Sequence, residues 1–247
     1  MMKHDQTEEN FRNEILLALP PEELEKLRPL LTPVRWISGQ PLLEPQERIE
    51  HVWFVESGFA STVASINETH GRVEVGLTGR EGMVGLVAML DAEATSFNRV
   101  MVQMPGAATR MTAAALRDNL GAMPVLRRLL THSLLGFLAQ ISQTAACNSQ
   151  HTLPERLARW LLMAHDRAEG DTLEITQTFL AVMLAVRRSG VTIATGALQE
   201  AGHIRAMRGQ IVVRDRKGLE SAACECHNLV QAFVALQAGR MALSPSA

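Results

Sequence analysis

The sequence predicts an α+β protein: an N-terminal jelly-roll β-barrel, one long helix and a C-terminal winged helix-turn-helix. Three observations predict it. Between Val34 and Arg110, short β-type runs alternate with turn signals. After Pro124 an apolar stripe keeps the helical period for about six turns. From Ile175 to Arg214, two short helical patterns are followed by a small β-hairpin.

Residues 1–10 are polar and acidic, which suits a frayed start and neither a signal nor a transit peptide. Pro20-Pro21-Glu22-Glu23 opens an amphipathic helix with Leu24, Leu27, Leu30 and Leu31 on one side. The β-type runs then follow. Val34–Ile37 meets Ser38-Gly39, His51–Val55 meets Glu56-Ser57-Gly58, and Thr62–Ile66 meets Asn67 and Gly71. Arg72–Leu77 alternates strictly, and Val100–Met104 ends at Pro105-Gly106. Many short strands at such spacing point to a sandwich or a jelly-roll barrel.

Helical character returns with Ala113–Leu120 and with the long stripe Leu126, Leu130, Leu134, Phe137, Leu138, Ile141 and Ala145. A helix between two domains gives one face to its own domain. Leu130, Leu134, Phe137 and Ile141 are expected to bury against a second copy, with the barrel as the other possible cover. Pro154–Ala168 forms a helix that buries Leu157, Trp160, Leu161, Met163 and Ala164. Leu173-Glu174-Ile175 is a short strand able to pair with Ile211-Val212-Val213, Gly218–Leu236 is helical, and the tail after Gly239 is unstructured. Two domains follow: residues 11–147, barrel plus dimerisation helix at about 124–147, and residues 148–239, the winged helix-turn-helix.

In that last region Thr176 is a plausible N-cap for a helix burying Phe179, Leu180, Met183 and Leu184. The next helix, from about Arg188 to Ala201, has Val191, Ala194, Leu198 and Ala201 at steps of three and four. Small Ala181 and Ala185 suit a close crossing of the two helices. The opposite face of the second helix carries Arg188, Thr192, Thr195 and Gln199, with Ser189 beside them. An α-helix fits the major groove, where arginine pairs with guanine edges and hydroxyls meet bases or phosphates. Arg187, Arg188, Ser189, Thr192 and Thr195 are therefore candidate DNA contacts. Thr176 and Gln177 are candidates for backbone phosphate, although capping alone explains them. Arg205, Arg208 and Arg214 flank the hairpin and suit phosphates, which give affinity without sequence information.

The net charge of −2 conceals an uneven distribution. Residues 176–217 hold seven basic and two acidic side chains, a local +5 that leaves −7 for the rest. Because salt screens fields beyond about 8 Å, the local value decides phosphate attraction.

With 47% hydrophobic and 20% charged residues the composition is that of a folded globular protein rather than a disordered one. No apolar run approaches the roughly 18 residues of a membrane span. Three cysteines offer no disulfide framework and suit a reducing, cytoplasmic setting. Gly79-Arg80-Glu81-Gly82 lacks the lysine and hydroxyl of a phosphate loop, so it reads as a barrel turn with an Arg80–Glu81 ion pair. Cys224-x-Cys226-His227, with Cys147 and His151, raises the question of metal. On a helix Cys-x-Cys would point its thiols about 200° apart, so inert thiols and no metal are expected. No nucleophile–base or paired-carboxylate constellation emerges, and no enzyme activity is expected.

Three stretches carry a family resemblance: EVGLTGREGMVG (Glu74–Gly85), QTAACNSQHTLPERLARWLL (Gln143–Leu162) and the two-helix segment from Ile175 to Ile204. In this order, across roughly Leu19–Ala223, the chain resembles the Crp/Fnr superfamily of bacterial transcription regulators. The resemblance implies a cyclic-nucleotide-binding-like barrel, a dimerisation helix and a winged helix. It also implies a homodimer on a roughly palindromic operator in double-stranded DNA, with half-sites about one helical turn apart. RNA polymerase is a further candidate partner, and no membrane is implied. An effector pocket would fall at Gly82, Met83, Val84, Gly85, Asn98 and Arg99.

Departures from the family pattern narrow the expectation. The glutamate that holds the ribose in cyclic-nucleotide sensors falls near Met83, whose thioether cannot replace it. The phosphate-binding arginine falls at or beside Asn98-Arg99, so Arg99 is its candidate, and cyclic AMP in the usual mode is not expected. No cysteine precedes Cys147, so an iron–sulfur cluster is not expected. A haem sensor would need an axial ligand, for which His51 and His70 are the candidates. The effector is left unidentified. Ser189 replaces the glutamate usual after the first recognition arginine, which puts the usual operator sequence in question. The alternative function is a small-ligand-binding signalling module whose helical end docks a protein.

Overall fold

A buried asparagine gathers the N-terminal half. In the computed structural model, which describes residues 11–65 and 71–243, Asn13 caps α1 (Glu14–Leu17) by accepting from the backbone N–H groups of Ile15 and Leu16. Its amide donates to the carbonyls of Val55 and Gly82. The expectations placed on residues 1–10, Ile66, Asn67 and His70 lie outside the described residues.

After α2 (Pro21–Leu27) and a 3-10 turn come β1 (Thr32–Trp36), β2 (Pro41–Leu43), β3 (His51–Ser65), β4 (Arg72–Thr78) and β5 (Met83–Val84). A second 3-10 turn leads to β6 (Arg99–Thr112). They form one antiparallel sheet in the order β1-β6-β3-β4, with β2 on β6 and β5 on β3. Among the described residues this sheet is barrel-like but not closed. The turn signals at Glu56-Ser57-Gly58 and Pro105-Gly106 do not end strands, as the sequence suggested; β3 and β6 run through them with shifts of register. A Cβ on Gly58 would lie 2.4 Å from the Met104 carbonyl oxygen, and one on Gly106 would lie 2.2 Å from that of Ser57. The glycines thus permit close approach of two bulged strands, and turn-type residues here bend the sheet.

Next come α3 (Ala113–Leu120) and α4 (Pro124–Gln150). Pro124 occupies the first turn of α4, where its missing N–H loses nothing. The buried Glu23 carboxylate reaches over from α2 and accepts from Val125 and Leu126 N–H at 2.9 and 2.8 Å. It satisfies orphan donors and complements the helix dipole. The inward side of α4 places Leu126 and Leu130 in the core under the sheet.

The second half comprises α5 (Leu153–His165), β7 (Thr172–Leu173), α6 (Gln177–Met183), α7 (Arg188–Glu200), β8 (Ile204–Met207), β9 (Gln210–Val213), α8 (Arg216–Ala222) and α9 (Cys226–Leu243). Thr152 and Glu155 form the capping box of α5, and every residue from Leu157 to Ala164 is buried. The small sheet has the order β7-β9-β8. α9 continues beyond Gly239, where an unstructured tail was expected, and runs antiparallel to α4, with Cys226 at Gln143 and Val234 facing Gly136.

The two halves share one core. Phe59 and Leu77 of the large sheet pack in the same apolar cluster as Leu161, Leu180 and Leu198. Trp160 Nε1 donates to Glu74 Oε1 at 2.6 Å, and Ser61 Oγ donates to the other carboxylate oxygen at 2.6 Å. Arg167 pairs with Glu81 at 2.7 Å, so the expected Arg80–Glu81 pair is not formed: a partner from the helical half claims the carboxylate.

Burial pushes the Glu74 carboxyl up to about 7, against the opposing pull of its two hydrogen bonds and of Arg167 and Arg159. Glu74 thus stays protonated in the fold at pH values where the unfolded chain has lost the proton. Its contribution to stability is full below the unfolded value of 4.5 and is lost as pH rises to about 7. A shift of this size corresponds to on the order of 3 kcal/mol. Urea denaturation at pH 5 and pH 8 should show Glu74→Gln losing less stability than the parent chain between the two. Identical losses would refute the assignment.

Candidate nucleic-acid interface

The chain turns by 110° between α6 and α7. Thr176 Oγ1 accepts from Phe179 N–H at 3.1 Å, so its hydroxyl is used as a cap. Leu180 and Met183 are buried, and Phe179 meets Trp160 edge-on at 6.1 Å between ring centroids. Ala181 is buried at the helix crossing, but Ala185 is exposed in the turn, with φ at 52°. There Val186 N–H bonds the Ala181 carbonyl and Ala185 N–H that of Val182, the pattern in which a helix is stopped by a left-handed residue.

α7 buries Val191, Ala194, Thr195 and Leu198. Thr195 is thus a correction: it is 2% exposed, four residues beyond Val191 and three before Leu198, and at 3.6 residues per turn it faces the core. The exposed edge holds Arg188, Ser189, Thr192 and Ile193, with Arg187 at the N-cap. Thr192 Oγ1 lies 2.9 Å from Gln177 Oε1, tying the two helices where both were nominated as contacts. Ile193 is 75% exposed and was not anticipated. Its signal was an apolar side chain off the buried stripe, and its chemistry suits a thymine methyl.

Gln199 Oε1 accepts from Ala206 N–H at 2.8 Å and fixes the β8–β9 hairpin to α7. Arg205 lies on that hairpin, Arg208 at its tip beside Gly209 (φ 78°), and Arg214 just after it. Arg187, Arg188, Arg205, Arg208 and Arg214 are exposed, and among the described residues none is within ion-pair distance of a carboxylate. Arg216, counted above in the local charge excess, is instead held by Asp166 at 2.6 Å and Glu220 at 2.9 Å. Burial notwithstanding, its hydrogen bonds to those acids and their charges raise its pKa, and it stays with the domain core.

Of the nominated effector residues, Met83, Val84, Gly85 and Asn98 line one cavity of about 200 Å³ between the sheet and α4. Gly82 borders a different cavity, of about 340 Å³, beside α1. Arg99 lines neither; its Nε donates to Glu44 Oε2 at 2.8 Å, so it is not free for a phosphate. Among the described residues no charged side chain lines the 200 Å³ cavity, which suits an uncharged guest. His51 is half-buried beside Trp53 and does not reach it.

The predicted dimer stripe divides. Leu130 is fully buried in the chain's own core and cannot serve a partner. Leu134, Phe137 and Ile141 are half-buried on the cavity wall, with Phe137 pressed against Gly76. Among the described residues the large apolar side chains left exposed on α4 are Leu135 and Leu138. The four residues Cys147, His151, Cys224 and Cys226, set aside from sequence, converge. Cys224 precedes α9, so helical spacing does not separate its thiol from that of Cys226.

Among the described residues no single helix is long and apolar enough to cross a membrane. No curated protein matches the chain. The family model described as the Crp-like helix-turn-helix domain matches residues 155–222. FixK2 from Bradyrhizobium japonicum is similar in structure, with a TM-score of 0.66 at 17% identity, covering 78% of this chain and 98% of that one. A CRP/FNR-family transcriptional regulator from Thermus thermophilus gives 0.62 at 20% identity, covering 78% and 98%. The c-di-GMP-responsive global regulator CLP of Xanthomonas campestris gives 0.62 at 16%, covering 78% and 99%. Residues 155–222 thus match the Crp-like helix-turn-helix domain, and the chain as a whole has a fold similar to those of solved Crp/Fnr-type regulators.

Proposed function

We propose that the protein is a cytoplasmic transcription regulator that binds a palindromic DNA operator as a homodimer, under the control of an uncharged effector at the cavity beside α4. The observation that carries this is the exposed edge of α7, where Arg188, Ser189, Thr192 and Ile193 stand clear of the core, together with hairpin arginines that have no ion-pair partner among the described residues. An arginine, two hydroxyls and an apolar side chain on one helix edge match guanine, phosphate and thymine methyl chemistry. Arg205, Arg208 and Arg214 supply sequence-independent affinity.

Leu135 and Leu138, one turn apart and exposed on α4, support pairing with a second copy. Two copies related by a twofold axis would present two α7 helices to half-sites about one DNA turn apart. Leu138 also borders the 200 Å³ cavity, so a ligand there would touch the dimer seam. The lack of charged side chains among the described residues of its wall supports an uncharged ligand over a cyclic nucleotide.

An operator selected from random DNA provides the assay. Arg188→Ala should lose about 1–3 kcal/mol on the selected sequence and relax discrimination at one base position, whereas Arg208→Ala should weaken all sequences alike and reduce the salt slope by about 1. A uniform loss across sequences for Arg188→Ala would remove it as a base reader. Leu138→Asp should sediment as a monomer and bind the operator more weakly; an unchanged dimer in analytical ultracentrifugation would refute the seam.

A further inference from the structure

We propose that Cys147, His151, Cys224 and Cys226 bind one zinc ion that fastens the end of α4 to the start of α9. Cys147 lies in the last turn of α4 and His151 caps that helix four residues later, so both project to the same side. Cys226 opens α9, and Cys224 stands two residues earlier, outside the helix. One ligand atom from each residue can be chosen so that all four lie within 4.8 Å of one another. The Cys147 and Cys224 sulfurs are 3.5 Å apart, and Cys226 Sγ is 3.5 Å from His151 Nδ1.

Four ligands at zinc–sulfur and zinc–nitrogen lengths of about 2.3 and 2.0 Å stand roughly 3.5–3.8 Å apart around a tetrahedral ion, so the observed spacing needs only a small contraction. The set is too tightly gathered to enclose a cluster of several irons. Three sulfurs and one imidazole form a known structural-zinc donor set, and the soft thiolates disfavour magnesium and calcium.

The surroundings fit the charge and orientation that such a centre needs. Glu225 Oε1 lies 3.5 Å from His151 Nε2, placed to receive the proton of the ring nitrogen that does not bind metal. Gln143 Nε2 donates to Cys226 Sγ at 3.0 Å. Zinc with three thiolates and a neutral imidazole carries a net −1. Arg159, 5% exposed and bonded to Thr144 one turn before Cys147, has no carboxylate within ion-pair distance among the described residues, and its Nε has no partner. The anionic centre would supply that buried cation with countercharge.

Binding deprotonates three thiols and releases three protons to solvent. Because His151 also stands between α4 and α5, the ion would hold the joint from which the DNA-binding domain departs.

The full-length, reduced chain, stripped of metal and titrated with Co²⁺, tests this. Expected are one equivalent bound, intense visible bands of tetrahedral cobalt with thiolate-to-metal charge transfer, and displacement by one equivalent of Zn²⁺. His151→Ala and Cys226→Ser, checked for folding by circular dichroism, should lose tight binding at least tenfold, while His151→Cys should keep it. Absence of charge transfer in the folded parent chain would overturn the proposal, as would tight binding unchanged by Cys226→Ser. Recovery of a Cys147–Cys224 disulfide without metal from freshly prepared protein would also overturn it.

Discussion

A carboxyl on the sheet and an indole on α5 meet in the buried core, and much of the architecture depends on that meeting. Glu74 takes hydrogen bonds from Ser61 of its own sheet and from Trp160 of the DNA-binding half. Around it Phe59 and Leu77 pack with Leu161 and Leu162. At about 25 cal/mol per Å², apolar burial of this kind is the main cohesive force. The polar contact adds direction, because a buried donor or acceptor left unmatched costs about 1–3 kcal/mol. α5 therefore has one favoured seat on the sheet, and α6 and α7 inherit their position from α5.

The nucleic-acid edge follows from that seat. α7 gives Val191, Ala194, Thr195 and Leu198 to the core, and what remains outside is a narrow strip of mixed chemistry. The turn before it is closed by two backbone hydrogen bonds around Ala185, which accepts a left-handed conformation that glycine would adopt more easily. The Gln199–Ala206 bond then sets the hairpin that carries Arg205 and Arg208 against α7. The residues proposed to read bases and those proposed to grip phosphates thus sit on elements joined by a hydrogen bond, the kind of support that precise positioning of a site needs.

α4 has several neighbours along its length. Glu23 from α2 caps its start, Leu126 and Leu130 lie in the core, Phe137 walls a cavity, and Cys147 and His151 end it beside the first residues of α9. On the proposed reading, α4 is the element that connects the cavity to the helix-turn-helix half, because it contacts both. The proposed metal centre lies at the far end of that helix, and the cavity lies midway along it.

Periodicity and punctuation in the sequence determined much of this protein: the order of elements, the long helix after Pro124, the two helices and hairpin, and the identity of Arg188 as the first residue of α7. These are local properties, written in spacings of two, three and four residues and in caps such as Thr152 and Thr176. Tertiary structure decided what depends on neighbours distant in the chain. Thr195 and Leu130 lie in step with the buried Val191, Leu198 and Leu126, but their residue types also suit an exposed contact, and packing showed that the periodicity, not the residue type, decides. Arg99 and Arg216 are cations whose availability depends on whether Glu44, Asp166 and Glu220 reach them. Glycines 58 and 106 are turn signals by composition, yet paired strands on both sides make them bends. Cys147 and Cys224 are 77 residues apart, and no local spacing announces that their sulfurs meet. Sequence patterns carry information over a few residues, whereas side-chain partnerships are settled by the packing of the whole fold.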